Sequence, residues 1–392
     1  MNEPRHHTGD VTAPTGVARL LPLIEGLERL AGKLPGPLKK PILQEITPVK
    51  NLFLKERPPR IALVGQSAAS RMAFLESLLG VPLDLPGPAA STWCEFSREG
   101  LGAVHVLDAR LPASLAQVES ELRAVPPDVV VYLRSDAPTG EQLEADITRA
   151  RDVIVRSPKD AGLVGIALAS PLPADASVQA LHALLHTYGD ELSLRVKTTL
   201  AVSGNRLLAP PLPNSREKHH DLALAEILGG LLPDEARVQL ARLTGAKKVQ
   251  AQIATALIKS ISAMNSAVGV NPIPLADFPI LSAMQGLMVA GIMRVSGREL
   301  RVKEAGEFVS AVGANLGAGL VLREGARAIA KFVPGWGNLV SGAIAGAGTY
   351  AMGRAACAYF IEDKSLAQAR GIFRRFRKSK KPPELPPYDP TE

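Results

Sequence analysis

The chain has 392 residues, enough for two or three domains, and its 46% hydrophobic and 21% charged content excludes disorder through its whole length. Aromatics make up only 4%, and the two cysteines, Cys94 and Cys357, stand too far apart for a disulfide framework, which suits a reducing compartment. The net charge is +7, with much of the excess in short runs near the C-terminus, so an anionic surface contact is expected rather than a basic domain.

Residues 1–14 are polar and rich in turn formers, and they read as a disordered tail. The opening Met1-Asn-Glu-Pro-Arg5 has no apolar signal core, so a cytoplasmic protein is expected. Residues 15–56 read as an N-terminal helical segment. Leu20, Leu21, Leu23, Ile24, Leu27 and Leu30 recur at helical spacing until Pro35-Gly-Pro37.

Residues 57–207 alternate between two periods. Strand-like runs fall at 61–64, 102–107, 129–133, 162–169 and 194–202. Helix-like stretches fall at 71–79, 114–125, 140–156 and 177–188. This alternation predicts an α/β fold, a mostly parallel sheet with helices on both faces. Right-handed crossovers then place functional loops at the carboxyl ends of the strands. Residues 208–221 are Pro-rich and read as a linker. The remainder, 222–377, shows no β alternation and reads as a C-terminal all-α domain. Its expected helices are 222–232, 233–267, 275–296, 301–332, 337–362 and 364–377. Residues 378–392 read as a second flexible tail.

The run Ile61-Ala-Leu-Val-Gly65-Gln-Ser-Ala-Ala-Ser70-Arg71-Met72 places a glycine and a small-residue loop between strand and helix. That order belongs to a phosphate-binding loop, which reads G-x-x-x-x-G-K-[ST]. The entry Lys55-Glu-Arg-Pro-Pro-Arg-Ile-Ala-Leu-Val-Gly65 resembles that of an Era-like GTPase domain. Further on, Ala267-Val-Gly-Val-Asn-Pro-Ile-Pro-Leu-Ala-Asp-Phe-Pro279, the apolar stretch holding Gln285, and Phe332-Val-Pro-Gly-Trp-Gly337 resemble a YcjF-type helical domain of unknown function. The resemblance covers roughly residues 50–375. It implies a P-loop GTPase-like sheet and a pocket for GTP and Mg²⁺.

Several motif positions depart from that family. Ser70 stands for the second glycine, Arg71 for the lysine on the β- and γ-phosphates, and Met72 for the hydroxyl on Mg²⁺. Arg71 keeps a charge but not the compact ammonium, and a thioether does not suit a hard cation. Asp108-Ala-Arg-Leu111 keeps the acid of the Asp-x-x-Gly landmark and loses its glycine. Ser170-Pro-Leu-Pro173 replaces the base-reading Asn-Lys-x-Asp, and Ser203 in Val202-Ser-Gly-Asn205 is what remains of the last loop. The degenerate pocket would comprise Gly65, Ser70, Arg71, Asp108 and Ser203, with no catalytic residue and no resident cofactor expected.

Other chemistry finds little support. His182 and His186 have helical i, i+4 spacing but no third metal ligand, and nucleic-acid binding lacks aromatics interleaved with basic residues. The uncharged stretch 332–353 is long enough to span a bilayer, and its glycines equally suit a packed bundle. Arg370, Arg374, Arg375, Arg377 and Lys378, interleaved with Ile372, Phe373 and Phe376, suit an anionic membrane surface or a helix C-terminus. The expectation is therefore a pseudo-GTPase scaffold or adaptor with an unidentified protein partner at the inner membrane. The alternatives are a nucleotide-regulated switch and a membrane-embedded helical protein.

Overall fold

The strands at the centre of this protein are largely apolar because helices cover the sheet on both faces. The computed structural model describes Glu25 and residues 55–66, 69–79, 92–135, 140–168, 174–188, 190–203, 206–209, 224–270, 277–299, 301–313 and 336–378. The expected tails, most of the segment 15–56, the loops 170–173 and 271–276, and most of the linker lie outside the described residues.

The elements are β1 (Arg60–Gly65), α1 (Arg71–Leu79), β2 (Trp93–Arg98), β3 (Gly102–Asp108), α2 (Leu115–Ala124), β4 (Val129–Arg134), α3 (Gly140–Arg156), β5 (Gly162–Leu168), α4 (Ala174–Thr187), α5 (Asp190–Arg195), β6 (Val196–Ser203) and β7 (Arg206–Ala209). The sheet order is β2-β3-β1-β4-β5-β6-β7. The five strands from β3 to β6 are parallel, and β2 and β7 join the edges antiparallel. This is the α/β architecture with the P-loop-like order that the sequence predicts.

One side of the sheet buries Ala62, Val64, Leu107 and Tyr132 against Val118 and Leu122 of α2 and Ile147, Val153 and Ile154 of α3. Each fully buried aliphatic side chain there contributes about 1.5–3 kcal/mol. Asp128 fixes the start of the central strands. Its carboxylate takes two bonds from Arg57, at 2.8 and 2.6 Å, and one from the Arg60 N–H at 2.9 Å.

Two strands carry no periodic mark in the sequence. β2 has only Phe96 fully buried, so its edge position gives no apolar run. β7 extends the sheet into residues that read as linker. A third difference is a break in the expected helix 233–267. It divides into α7 (Asp234–Thr244) and α8 (Lys247–Val270), following α6 (Leu224–Leu231). Gly245 takes φ +65° there and ends α7 with its N–H on the Ala241 carbonyl.

The chain forms two compact units. The first includes Glu56–Ile253 with Val295–Gly297, so α6 and α7 belong to the α/β unit. Gln239 of α7 accepts the Ala103 N–H of β3 at 3.0 Å. The buried Arg242 pairs with Glu56 at 3.1 Å and donates to the Gly100 carbonyl at 2.5 Å. These bonds dock α7 on the sheet edge with polar groups that would be costly to bury unpaired.

The second unit comprises Ala254–Arg294 and the described residues from Arg298 on. It contains the end of α8, α9 (Asp277–Val295) as far as Arg294, α10 (Val302–Gly313), α11 (Trp336–Phe360) and α12 (Leu366–Lys378). Gly353 on α11 leaves no room for a side chain beside Ile258 and Met288, and Gly346 leaves none beside Ser266. The glycines thus let α11 approach α8 and α9 closely. Among the described residues, no helix is long and apolar enough to cross a membrane.

A polar node lies inside this apolar packing. Thr349 Oγ1 accepts from Asn265 Nδ2 at 2.7 Å and from Gln285 Nε2 at 3.3 Å, and donates to the Ala345 carbonyl at 2.9 Å. Thr349→Val removes the shared acceptor while keeping the shape. It is expected to destabilise the helical unit by about 1–3 kcal/mol, measured by thermal unfolding of the full chain.

Candidate functional site

The carboxyl ends of β1, β3 and β4 meet at Gly65. Its φ of +98° lies in the left-handed region, and a Cβ there would overlap the Leu133 carbonyl oxygen. Only glycine permits the turn. Gln66 then ties the loop to the end of β4. Its N–H donates to the Leu133 carbonyl at 2.9 Å, and its Oε1 accepts the Ser135 N–H at 2.8 Å. The Ala69 N–H donates back to the Gln66 carbonyl at 3.2 Å. Ser70 starts α1 as an N-cap, with Oγ accepting the Ala73 N–H at 3.1 Å.

Gln66 and Ala69 both bond a cation of the chain itself. Arg110, two residues past the end of β3, is only 7% exposed. Its Nη1 donates to the Gln66 carbonyl at 2.9 Å and also to the Ala69 carbonyl. The other side of the guanidinium holds Asp108 in a fork, Nε to Oδ1 and Nη2 to Oδ2, both at 2.8 Å. Such a side-on pair is strong because both bonds are charge-assisted and geometrically matched. Of the expected pocket residues, Asp108 bonds Arg110 directly, while Gly65 and Ser70 are the chain neighbours of Gln66 and Ala69, whose carbonyls Arg110 also bonds; the sequence pattern assigns Arg110 no role.

The described residues of the loop offer little of what a nucleotide phosphate with Mg²⁺, which the family resemblance implies, would require. An anion-binding loop turns successive N–H groups inward. Here the N–H groups of Gln66 and Ala69 are committed within the chain, and the carbonyls of the same residues face a guanidinium. Met72 supplies no hard oxygen for the metal. Among the described residues, no group of three His, Cys, Asp or Glu side chains could hold a metal ion.

The charges follow from this packing. Burial pushes the Asp108 carboxyl up, but the hydrogen bonds and charge of Arg110, with the charge of Arg71, outweigh it and hold Asp108 below the ordinary carboxylate range. The sign is that of a depressed acid. Its stabilisation is present above the unfolded carboxyl's pKa and is lost as pH falls through the lower folded value. Acid unfolding should therefore show a steeper loss of stability below about pH 4 in the native chain than in Asp108→Asn, read from urea midpoints across pH.

Arg71, the first residue of α1, is 9% exposed. Its guanidinium carbon stands 6.0 Å from the centroid of the Phe96 ring on β2, and its Nη1 is buried without a hydrogen-bond partner. Asp146 on α3 is likewise buried, with Oδ2 unpartnered. Burial raises its carboxyl, against the pull of the Arg110 charge. Ser203 does not join this group. It ends β6, separated from β1 by β4 and β5.

The remaining candidates have structural partners. The His182 and His186 rings lie tilted by 56° with centroids 4.2 Å apart, and His186 Nδ1 lies 2.8 Å from Ser193 Oγ. Burial, then the neighbouring His186, lowers the His182 pKa. On α12, Phe373 is buried and Phe376 meets Tyr350 edge-on at 5.7 Å. Arg370 Nε donates to the Ala311 carbonyl at 3.0 Å, while Arg374 and Arg375 are exposed. The aromatic side of that amphipathic helix is thus engaged by its own unit, and part of its basic side faces solvent. Cys357 is buried and its thiol is pushed up to about 12 by burial, which leaves it chemically inert.

No family model matches the chain, and no curated protein matches it at a significant level.

Proposed function

We propose that this protein is a non-catalytic pseudo-GTPase that acts as a scaffold or adaptor for a protein partner. The observation that carries this reading is the Arg110 guanidinium in the bend between β1 and α1, bonded to the carbonyls of Gln66 and Ala69. Phosphoryl transfer depends on positioning and charge neutralisation by N–H groups, lysine and metal. Carbonyls of Gln66 and Ala69 turned toward a guanidinium work against all three. The YcjF-type resemblance of the helical unit and the exposed Arg374 and Arg375 favour a place at an anionic membrane surface.

The purified full chain, titrated calorimetrically with GTP and Mg²⁺, should show neither binding heat nor phosphate release. Micromolar affinity with turnover would overturn the reading. A nucleotide-responsive switch is the second reading, because Arg71 Nη1 is buried without a partner at the start of α1. It requires hydrogen exchange across residues 66–72 to slow when GTP is added. Unchanged exchange removes it.

A further inference from the structure

We propose that His182 and His186 form a two-histidine chelate on α4 for a divalent transition-metal ion of the Zn²⁺, Ni²⁺ or Cu²⁺ class. Both lie in the last turns of that helix, four residues apart, so their side chains share one face. Their ring centroids are 4.2 Å apart. An ion at the usual nitrogen distance of about 2.0–2.1 Å in tetrahedral geometry needs its two nitrogens roughly 3.4 Å apart, and rings at this separation are close enough to supply them. His182 is half-buried and His186 is exposed, so an ion reaches the pair from solvent.

The other nitrogen of each ring is already held. His182 Nδ1 lies 3.4 Å from Thr199 Oγ1 of β6, and His186 Nδ1 lies 2.8 Å from Ser193 Oγ of α5. A hydroxyl oxygen accepts as readily as it donates. With each Nδ1–H donating to its hydroxyl, the lone pair of each ring sits on Nε2. Neither Nε2 has a hydrogen-bond partner among the described residues. Metal-binding histidines are held in the same way: one nitrogen meets the ion, and the other N–H is fixed by an oxygen that sets tautomer and ring orientation. Burial, then the neighbouring His186, lowers the His182 pKa, which keeps that ring neutral and able to ligate. Two ring nitrogens fill half of a tetrahedral shell, and water completes it, because no third His, Cys, Asp or Glu joins them among the described residues. An open shell of this kind is an exchangeable site rather than a structural one. Imidazole prefers zinc, nickel and copper to Mg²⁺, so this site is chemically distinct from the metal position of a nucleotide pocket.

The test is zinc binding by the full chain with His6, His7, His219 and His220 replaced by alanine, which removes the adjacent histidine pairs elsewhere in the sequence. Calorimetric titration with ZnCl₂ should show a single ion per chain, and the thermal midpoint should rise as zinc is added. MgCl₂ should do neither. His182→Ala and His186→Ala should each weaken zinc binding at least about tenfold. Nitrogen NMR of the labelled rings gives a readout that helix packing alone does not move: zinc should shift both Nε2 signals while both Nδ1 atoms stay protonated. Absence of zinc binding, a loss confined to one of the two histidines, or ligation through Nδ1 overturns the chelate. None of these measurements involves nucleotide, so their outcome is separate from that of the pseudo-GTPase reading.

Discussion

Arg110→Met is expected to lower the unfolding free energy of the α/β unit by about 3–5 kcal/mol, the usual cost of removing one partner from a buried ion pair. Methionine fills much of the same space, so the loss is electrostatic rather than a cavity effect. Three acceptors lose their bonds from the guanidinium together: the Asp108 carboxylate and the carbonyls of Gln66 and Ala69. Asp108 loses its principal counter-charge while remaining largely buried. Urea unfolding measures the change. A companion variant separates charge from packing. Arg110→Met combined with Asp108→Leu removes both charges and should recover a large part of the loss, because paired removal avoids a stranded ion. A midpoint shift in Arg110→Met no larger than that of an exposed surface substitution would show that the guanidinium is not held as described.

Gly65→Ala should have an effect of comparable size for a different reason. The residue sits at φ +98°, where an L side chain is strained, and its Cβ would overlap the Leu133 carbonyl oxygen while lying 3.0 Å from the Leu133 nitrogen. These are backbone atoms of β4, the strand hydrogen-bonded to β1, so neither can move without disturbing the ladder. The Gln66 N–H bond to Leu133 would be lost with any such shift. Backbone strain and steric overlap together should destabilise by about 3 kcal/mol or more, enough to reduce the folded fraction markedly. Thermal unfolding and soluble yield read this directly. An alanine variant as stable as the native chain would mean that the strand-to-helix turn relaxes without cost. The two substitutions divide the loop's roles: Gly65 makes the turn, and Arg110 closes it.

The central strands were legible in the sequence because burial on both faces makes them continuous apolar runs, as in Val129-Val-Val-Tyr-Leu133. Edge strands lack that mark. β2 alternates without a clear apolar face, and β7 lies in a Pro-rich setting, so neither stood out. The docking of α7 was invisible for another reason. Gln239 and Arg242 find their partners at Ala103, Gly100 and Glu56, far away in sequence, and long-range polar pairing has no periodic signature. Gly245 was the available signal for the break before α8, since a glycine after a helical run is a usual C-terminal signal.

Gly65 and Ser70 announce a strand–loop–helix unit, and the structure shows that unit, with Asp108 at the end of the neighbouring β3. Arg110 did not stand out because an arginine two residues from an aspartate usually reads as a solvated pair. Only the positions of the Gln66 and Ala69 carbonyls show that it is bonded to the loop. The absence of a glycine at the end of Asp108-Ala-Arg-Leu111 is the nearest hint, since leucine lacks the conformational freedom with which glycine turns its N–H toward a phosphate. Asp146 gave no hint at all, being one acid among several on an amphipathic helix.

The most direct measurement of the central claim is the side-chain NMR signal of Arg110 in the full chain, isotopically labelled and titrated with GTP and Mg²⁺. If the loop holds its own guanidinium, the Arg110 Nε–H resonance is shifted by its bond to Asp108, exchanges slowly with solvent, and stays unchanged at millimolar nucleotide. A fast-exchanging Nε–H, or one displaced as nucleotide is added, would contradict the account and return the loop to phosphate.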